Sequence, residues 1–278
     1  MSPFLALIRK HVHESRWTLA VTAGALFGLG WLSVYITSLR EVRIIKALGS
    51  PDLDDRIQWL RRLGLAKEPT SGEITMAFWN HPIFVTLIAI WGISRGTAAV
   101  AAEVERGTMD LLLSRPVSRT LYLASHVIVA LAGLAVLAAA LALGGTWAVG
   151  HNVLRSPPES GALVRPAVNL AALGLPIYGC ALLISALDHV RWRPTWIASS
   201  LTLASFIAFM VATNPVFAEA AWKPWVEGAS IFRAYRPIEV VAAGETFASN
   251  VAFLAAIAAA LIAPAFAWFA WRDLPANG

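Results

Sequence analysis

The chain has 278 residues, 58% of them hydrophobic and 14% charged, where an average soluble domain carries about 25% charged residues. With a mean hydropathy of +0.64 and a net charge of +5, this composition belongs in a bilayer and excludes an ordinary soluble domain. The bases are scattered between apolar runs and form no stripe that would follow a phosphate backbone, so nucleic acid is not expected as a partner.

In residues 2–16, Phe4, Leu5, Ile8 and Val12 recur near helical spacing, while Arg9, His13 and Arg16 take other directions. This pattern predicts an N-terminal amphipathic helix lying in the membrane interface. The apolar run before Arg9 is shorter than the core of a cleaved signal, so none is expected. His11 and His13, two apart, point in different directions along a helix and lack a third ligand, so they predict no metal site.

Six long stretches free of Asp, Glu, Lys and Arg follow, at 17–39, 74–94, 120–154, 166–187, 194–218 and 246–271, and they suggest approximate spans at 17–39, 76–100, 120–149, 166–187, 194–213 and 247–270. Each holds about the 20 residues that a helix needs to cross a hydrocarbon core. Runs such as "LAGLAVLAAALAL" lack the alternation of a barrel strand. The expected fold is an all-α polytopic membrane protein with six transmembrane helices in a single domain, 1–278. Cys180, the single cysteine, falls inside the fourth span and offers neither a disulfide nor a thiolate cluster.

Between the first two spans, Ser50 as a cap and Pro51 at the first helical position predict a short helix over 50–65 on the outer face. Between the fifth and sixth, Trp222, Trp225, Phe232 and Tyr235 lie among prolines and charges, a mixture suited to anchoring in the headgroup layer. Little inside the spans can perform chemistry. His81, His126 and His151 are far apart in sequence, and Ser33, Ser125, Ser185 and Ser205 have no evident activating base. No catalytic, cofactor-binding or metal-ligating residues are therefore expected, and the chain is not expected to be an enzyme. A row of intramembrane carboxylates for ion coupling is also missing, so energy for any transport must come from elsewhere.

The segment "EVERGTMDLLLSRPVSR", residues 103–119, interrupts this apolar chain between spans two and three. Glu103 to Arg106 extend the second helix, and Gly107 marks where it stops or turns. Thr108 can cap a new short helix with Asp110 in its first turn; Leu111, Leu112 and Leu113 give it an apolar surface, and Pro116 ends it. An apolar helix outside the membrane calls for a partner surface, and flanks running straight into spans would carry that partner's motion into the bilayer. Basic caps at Arg9 with Lys10, Arg115 with Arg119, and Arg191 with Arg193 lean toward both termini being cytoplasmic.

At these residues the sequence resembles the ABC-2 type permease family, the transmembrane subunits of bacterial ABC exporters. "EVERGTMDLLLSRPVSR" is similar to the acidic, Gly-Thr, leucine-rich and Pro-x-Ser-Arg segment after the family's second span; "FAWRDLP" is similar to its tail, and "LIRKHVHESRW" to its elbow helix. The resemblance implies a short cytoplasmic coupling helix, with Glu103, Glu105, Gly107, Thr108, Leu111, Leu112, Leu113, Pro116 and Arg119 as the positions matching the ATPase-coupling segment. It further implies two ABC ATPase subunits that carry ATP and Mg, a second permease chain, identical or related, and a place in the bacterial cytoplasmic (inner) membrane. The chain has no GxxxxGK[ST] loop, so hydrolysis is expected in the partners. The expected function is the membrane subunit of an ATP-driven exporter of an amphiphilic or lipidic substrate. The alternative is a noncatalytic membrane scaffold or accessory subunit with a permease-like fold.

Overall fold

A computed structural model describes residues 2–48, 70–109, 117–159, 161–242 and 246–271. Among the described residues every regular element is helical. In chain order the first helices are α1 (Pro3–Leu48), α2 (Ser71–Trp79), α3 (Pro82–Ala99), α4 (Ala101–Glu105), α5 (Arg119–His151), α6 (Val164–Leu187) and α7 (Trp192–Ala212). Short turns of α8 (Lys223–Ala229), α9 (Pro237–Ala242) and two 3-10 segments then lead into α10 (Phe247–Trp271). Six of these, α1, α3, α5, α6, α7 and α10, are long and apolar enough to cross a membrane. The helix expected over 50–65 lies outside the described residues.

The first helix departs from expectation. Residues 2–16 do not form an interfacial helix separate from the first span: α1 runs unbroken for 46 residues, about 69 Å at 1.5 Å per residue and more than twice a hydrocarbon core. Lys10, Glu14 and Arg16 look like a boundary in the sequence, yet nothing there breaks helical hydrogen bonding. The inward face also differs, because Leu7, His11, Ser15 and Thr22 are buried while Leu5, Val12, Trp17 and Val21 are exposed. The hydroxyls afford this by bonding within the helix or to its neighbours: Ser15 Oγ donates to the His11 carbonyl at 2.8 Å, and Trp79 Nε1 donates to Ser33 Oγ at 3.0 Å. Apolar side chains outward and small polar ones inward suit a helix whose outer solvent is lipid.

The second apolar run is divided. Thr70 and Glu73 form a capping box at the start of α2, and Pro82 at the first position of α3, with His81 as its cap, restarts the chain after a turn at Asn80. At this end of the bundle the buried Glu41 carboxylate accepts from Ser71 Oγ at 2.6 Å and from the Arg155 amide at 2.7 Å. It thereby joins α1, α2 and the connection after α5.

The centre of the bundle is α6, flanked by α3, α5, α7 and α10, while α1 packs along α5. Burial within the bundle covers 72% of the apolar window of α6 but 11% of that of α7 and 17% of that of α10, so the last two stand at the periphery. The close pairing of α1 with α5 depends on glycine. A Cβ at Gly30 would stand 2.7 Å from the Leu141 carbonyl oxygen, and one at Gly144 would collide with the Phe27 carbonyl. Of the four aromatic residues read as anchors, Trp222 and Trp225 are exposed, whereas Phe232 and Tyr235 belong to the core. Tyr235 donates its phenol to the Trp79 carbonyl at 2.8 Å, and Asn169 Nδ2 donates to the Ala234 carbonyl at 2.9 Å.

Candidate functional site

The segment after α3 begins with a break that another helix satisfies. Val100 leaves helical geometry at φ −126° and ψ −60°. Ser185 of α6 accepts from the amides of Val100 at 3.3 Å and Ala101 at 2.9 Å and donates to the Thr97 carbonyl at 3.2 Å. Tyr122 of α5 donates to the Ala99 carbonyl at 2.8 Å. Buried backbone groups released by the break are thus paired by side chains from two other spans, which holds the bend in one place.

One turn later Glu103 is 2% exposed. Its carboxylate accepts from Lys10 Nζ of α1 at 2.9 Å, from Arg106 Nη2 at 3.0 Å and from Thr108 Oγ1. The Thr108 amide donates to the Glu103 carbonyl at 3.0 Å, a closure made possible by Gly107 at φ 67°, the left-handed region that glycine occupies without penalty. Buried carboxylates persist where charge-assisted hydrogen bonds replace their water, and Glu103 has three such donors.

The structure therefore brings Glu103, Gly107 and Thr108 together around Lys10. It places Glu105 on the other side of the turn, where its carboxylate accepts from the Arg191 amide at the start of α7 at 2.9 Å. Arg119, at the start of α5, donates from Nη1 to the Phe269 carbonyl near the end of α10 at 3.3 Å. Leu111, Leu112, Leu113 and Pro116 lie outside the described residues.

Sequence reasoning missed the groups behind this joint. The His11 and His126 rings lie 3.7 Å apart between centroids, tilted by 38°. The Tyr122 proton goes to Ala99, so the 3.1 Å contact between its oxygen and His126 requires Nε2–H of His126 to donate. Both His11 ring nitrogens are buried without a hydrogen-bond partner; Nδ1 stands 3.6 Å from the Glu14 carboxylate, which also pairs with Lys10 at 3.3 Å. Arg95, inside α3, is 5% exposed, with its guanidinium 6.0 Å from the Trp91 ring centroid. Among the described residues no group of three or more His, Cys, Asp or Glu is placed to hold a metal ion. The available signal was a charge or histidine at helical register with the small inward residues of its own helix, such as Leu7, His11 and Ser15.

Beside the joint, α3 and α7 are separated by a groove of about 800 Å³. Ile90, Ile93, Trp196, Leu203 and Phe206 give it apolar walls, and Glu105 with Arg191 stands at one end. Its position beside the most weakly buried span leaves it open along the bundle's length.

Six apolar helices around a small-residue centre define a multi-pass α-helical membrane protein. Residues 13–274 match the family described as ABC-2 family transporter protein, and the chain belongs to that family. It is thus a transport permease subunit, of a kind that works with ABC ATPase subunits. No curated protein and no solved structure matches the chain.

Proposed function

We propose that the chain is the membrane subunit of an ATP-driven exporter, with ATP and Mg bound and hydrolysed in two separate ATPase subunits. A second permease chain, identical or related, completes the unit in the bacterial inner membrane, with both termini of this chain cytoplasmic. The observation that carries this reading is the three-donor clasp on Glu103. It fastens the segment entering the leucine run to α1, while Glu105 fastens the same turn to α7. A push on the leucines would then reach three spans through short, charge-assisted bonds.

The substrate we favour is amphiphilic or lipidic. The groove between α3 and α7 offers apolar walls along the bundle and a polar mouth at Glu105 and Arg191, which suits a molecule with a long apolar body and a small polar head. An inorganic ion stripped of water would find hydroxyls such as Thr86, Ser94 and Ser199 along those walls but, among the described residues, no ionised side chain away from the mouth.

The reading is tested by co-expressing the chain with its ATPase, reconstituting the complex, and measuring hydrolysis against amphiphilic drugs, lipids, peptides and metal ions. Stimulation by an amphiphile is expected. Leu112→Asp should lower recovery of the ATPase about tenfold, because a charge placed in an apolar contact costs at least ~1.4 kcal/mol. Unchanged recovery together with unchanged hydrolysis would remove the coupling role from this segment.

A further inference from the structure

At the end of the bundle opposite Glu103, the connection between α7 and α10 folds beside the start of α10 and leaves a cavity of about 580 Å³. Thr246, Ser249, Asn250 and Phe253 line one wall. Their spacing of three and four places them on one helical face. From the other wall comes Arg233, whose guanidinium carbon lies 4.2 Å from the centroid of the Phe253 ring.

The charges here are unequally committed. Arg236 donates to Glu239 at 2.9 Å and to Glu227 at 2.7 Å, so one guanidinium engages both carboxylates that line the cavity. Arg233 makes no side-chain hydrogen bond or ion pair with a described residue, and its guanidinium lies over the Phe253 ring. Asn250 Nδ2 is buried and has no hydrogen-bond partner among the described residues. A ring covering one face of a guanidinium fixes its plane but leaves its edge donors unspent, and that fork matches the oxygens of a phosphate. The Thr246 hydroxyl on the same wall supplies a further donor, while Ser249 Oγ donates to the Thr246 carbonyl at 2.9 Å.

The level in the membrane supports the same chemistry. Trp222 and Trp225, in the same connection, are 40% and 81% exposed, as interfacial tryptophans are. The apolar helix α10 begins directly beneath the site. We propose that this cavity binds a phosphate group at headgroup depth, held by the Arg233 fork and the Asn250 amide, with the Thr246 hydroxyl completing the set. The phosphate belongs either to a membrane phospholipid or to a free phosphate in the adjoining water. This assignment is independent of the transport reading, since it uses neither the groove nor the Glu103 joint.

The test uses the full chain in detergent, stripped of lipid. Native mass spectrometry follows binding of phosphatidylglycerol, with diacylglycerol as the phosphate-free control, and equilibrium dialysis follows inorganic phosphate. At least one phosphate probe should bind the wild-type chain, and Arg233→Gln should weaken it about tenfold or more, the loss of a charge-assisted hydrogen bond. Arg233→Lys should recover part of the affinity, because it keeps the charge and loses the fork. Phosphatidylglycerol alone responding identifies the lipid as source; inorganic phosphate responding identifies free phosphate. The proposal is overturned if neither probe binds, if diacylglycerol binds as well as phosphatidylglycerol and inorganic phosphate does not bind, or if Arg233→Gln binds as the wild type does. Should Arg233→Gln fail to fold, Asn250→Ala decides in its place: weaker phosphate binding supports the site, and unchanged binding overturns it.

Discussion

Glu103 shows how a single carboxylate can be both buried and useful. Its donors differ in exposure, since the Lys10 and Arg106 side chains remain 33% and 53% exposed while Glu103 is 2% exposed. Removing the negative charge therefore leaves cations that can return to water, which limits the damage. Glu103→Gln should cost about 1.5 kcal/mol, the low end for hydrogen bonds to charged groups, and lower the melting temperature by a few degrees. A double-mutant cycle with Lys10→Met checks the pairing: the second substitution should add little once Glu103 is neutral, and full additivity would mean that the two do not interact.

At the same scale, Tyr235 ties the connection between α7 and α10 to α2. Burial pushes its phenol well above the ordinary tyrosine value, so the native state keeps a proton that the unfolded chain loses above about pH 10. The stabilisation is complete below that value and is lost as pH rises through it toward the raised native value. Tyr235→Phe removes the bond to the Trp79 carbonyl and should destabilise by about 1 kcal/mol near neutrality. The gap between variant and wild type should narrow above about pH 10 in denaturation series run from pH 7 to 11. A gap that stayed constant or widened would contradict the buried, protonated phenol.

At the scale of elements, the pairing of α1 with α5 rests on backbone approach at two glycines. Gly144 faces the Phe27 carbonyl so closely that even a methyl has no room, and backbone cannot rotate away as a side chain would. Gly144→Ala should therefore destabilise by about 1–3 kcal/mol, the usual cost of overpacking. Gly150→Ala, where nothing lies within 4 Å, is the control, and it should be neutral or slightly stabilising in the same melting assay. Equal behaviour of the two variants would refute close packing at Gly144.

This scale also explains what the sequence could and could not reveal. Long apolar windows announced six spanning helices because a charge is costly in lipid, and the absence of charge over about 20 residues has few other causes. The same rule hid the ends of the helices. Arg95 closes a charge-free run, yet α3 continues past it to Ala99 and buries it, while the start of the 76–100 span falls in α2, across the turn at Asn80. Residues 2–16 read as an amphipathic helix of their own, although α1 passes through them into the first span without a break. Glu103, Gly107 and Thr108 could be singled out by their local pattern, but Lys10 lies 93 positions from Glu103. Likewise the His11 and His126 rings meet only because α1 and α5 pack together. Contacts of that kind are set by helix packing, and one sequence carries no periodicity that encodes them.

For the molecule as a whole, the uneven burial of its spans is the most consequential feature. With α6 enclosed and α7 mostly uncovered, the proposed route would work by a change in the separation of α3 and α7 at the edge of the bundle, away from its packed centre. The joint at Glu103 and Glu105 sits where it could govern that separation, since α3 leads into it and the Arg191 amide at the head of α7 is bonded to it. A side chain that fills the groove should then block a substrate without disturbing the ATPase contact. Ala89 lines the groove from α3, and Ala89→Trp would occupy part of its volume. In the reconstituted complex this variant should raise the amphiphile concentration needed to stimulate hydrolysis about tenfold, equivalent to ~1.4 kcal/mol of lost binding. Basal hydrolysis and recovery of the ATPase should stay at wild-type levels. Full stimulation at the original concentration would show that the groove is only a lipid-facing surface, and loss of the ATPase itself would show that α3 packing, and not the route, had been damaged.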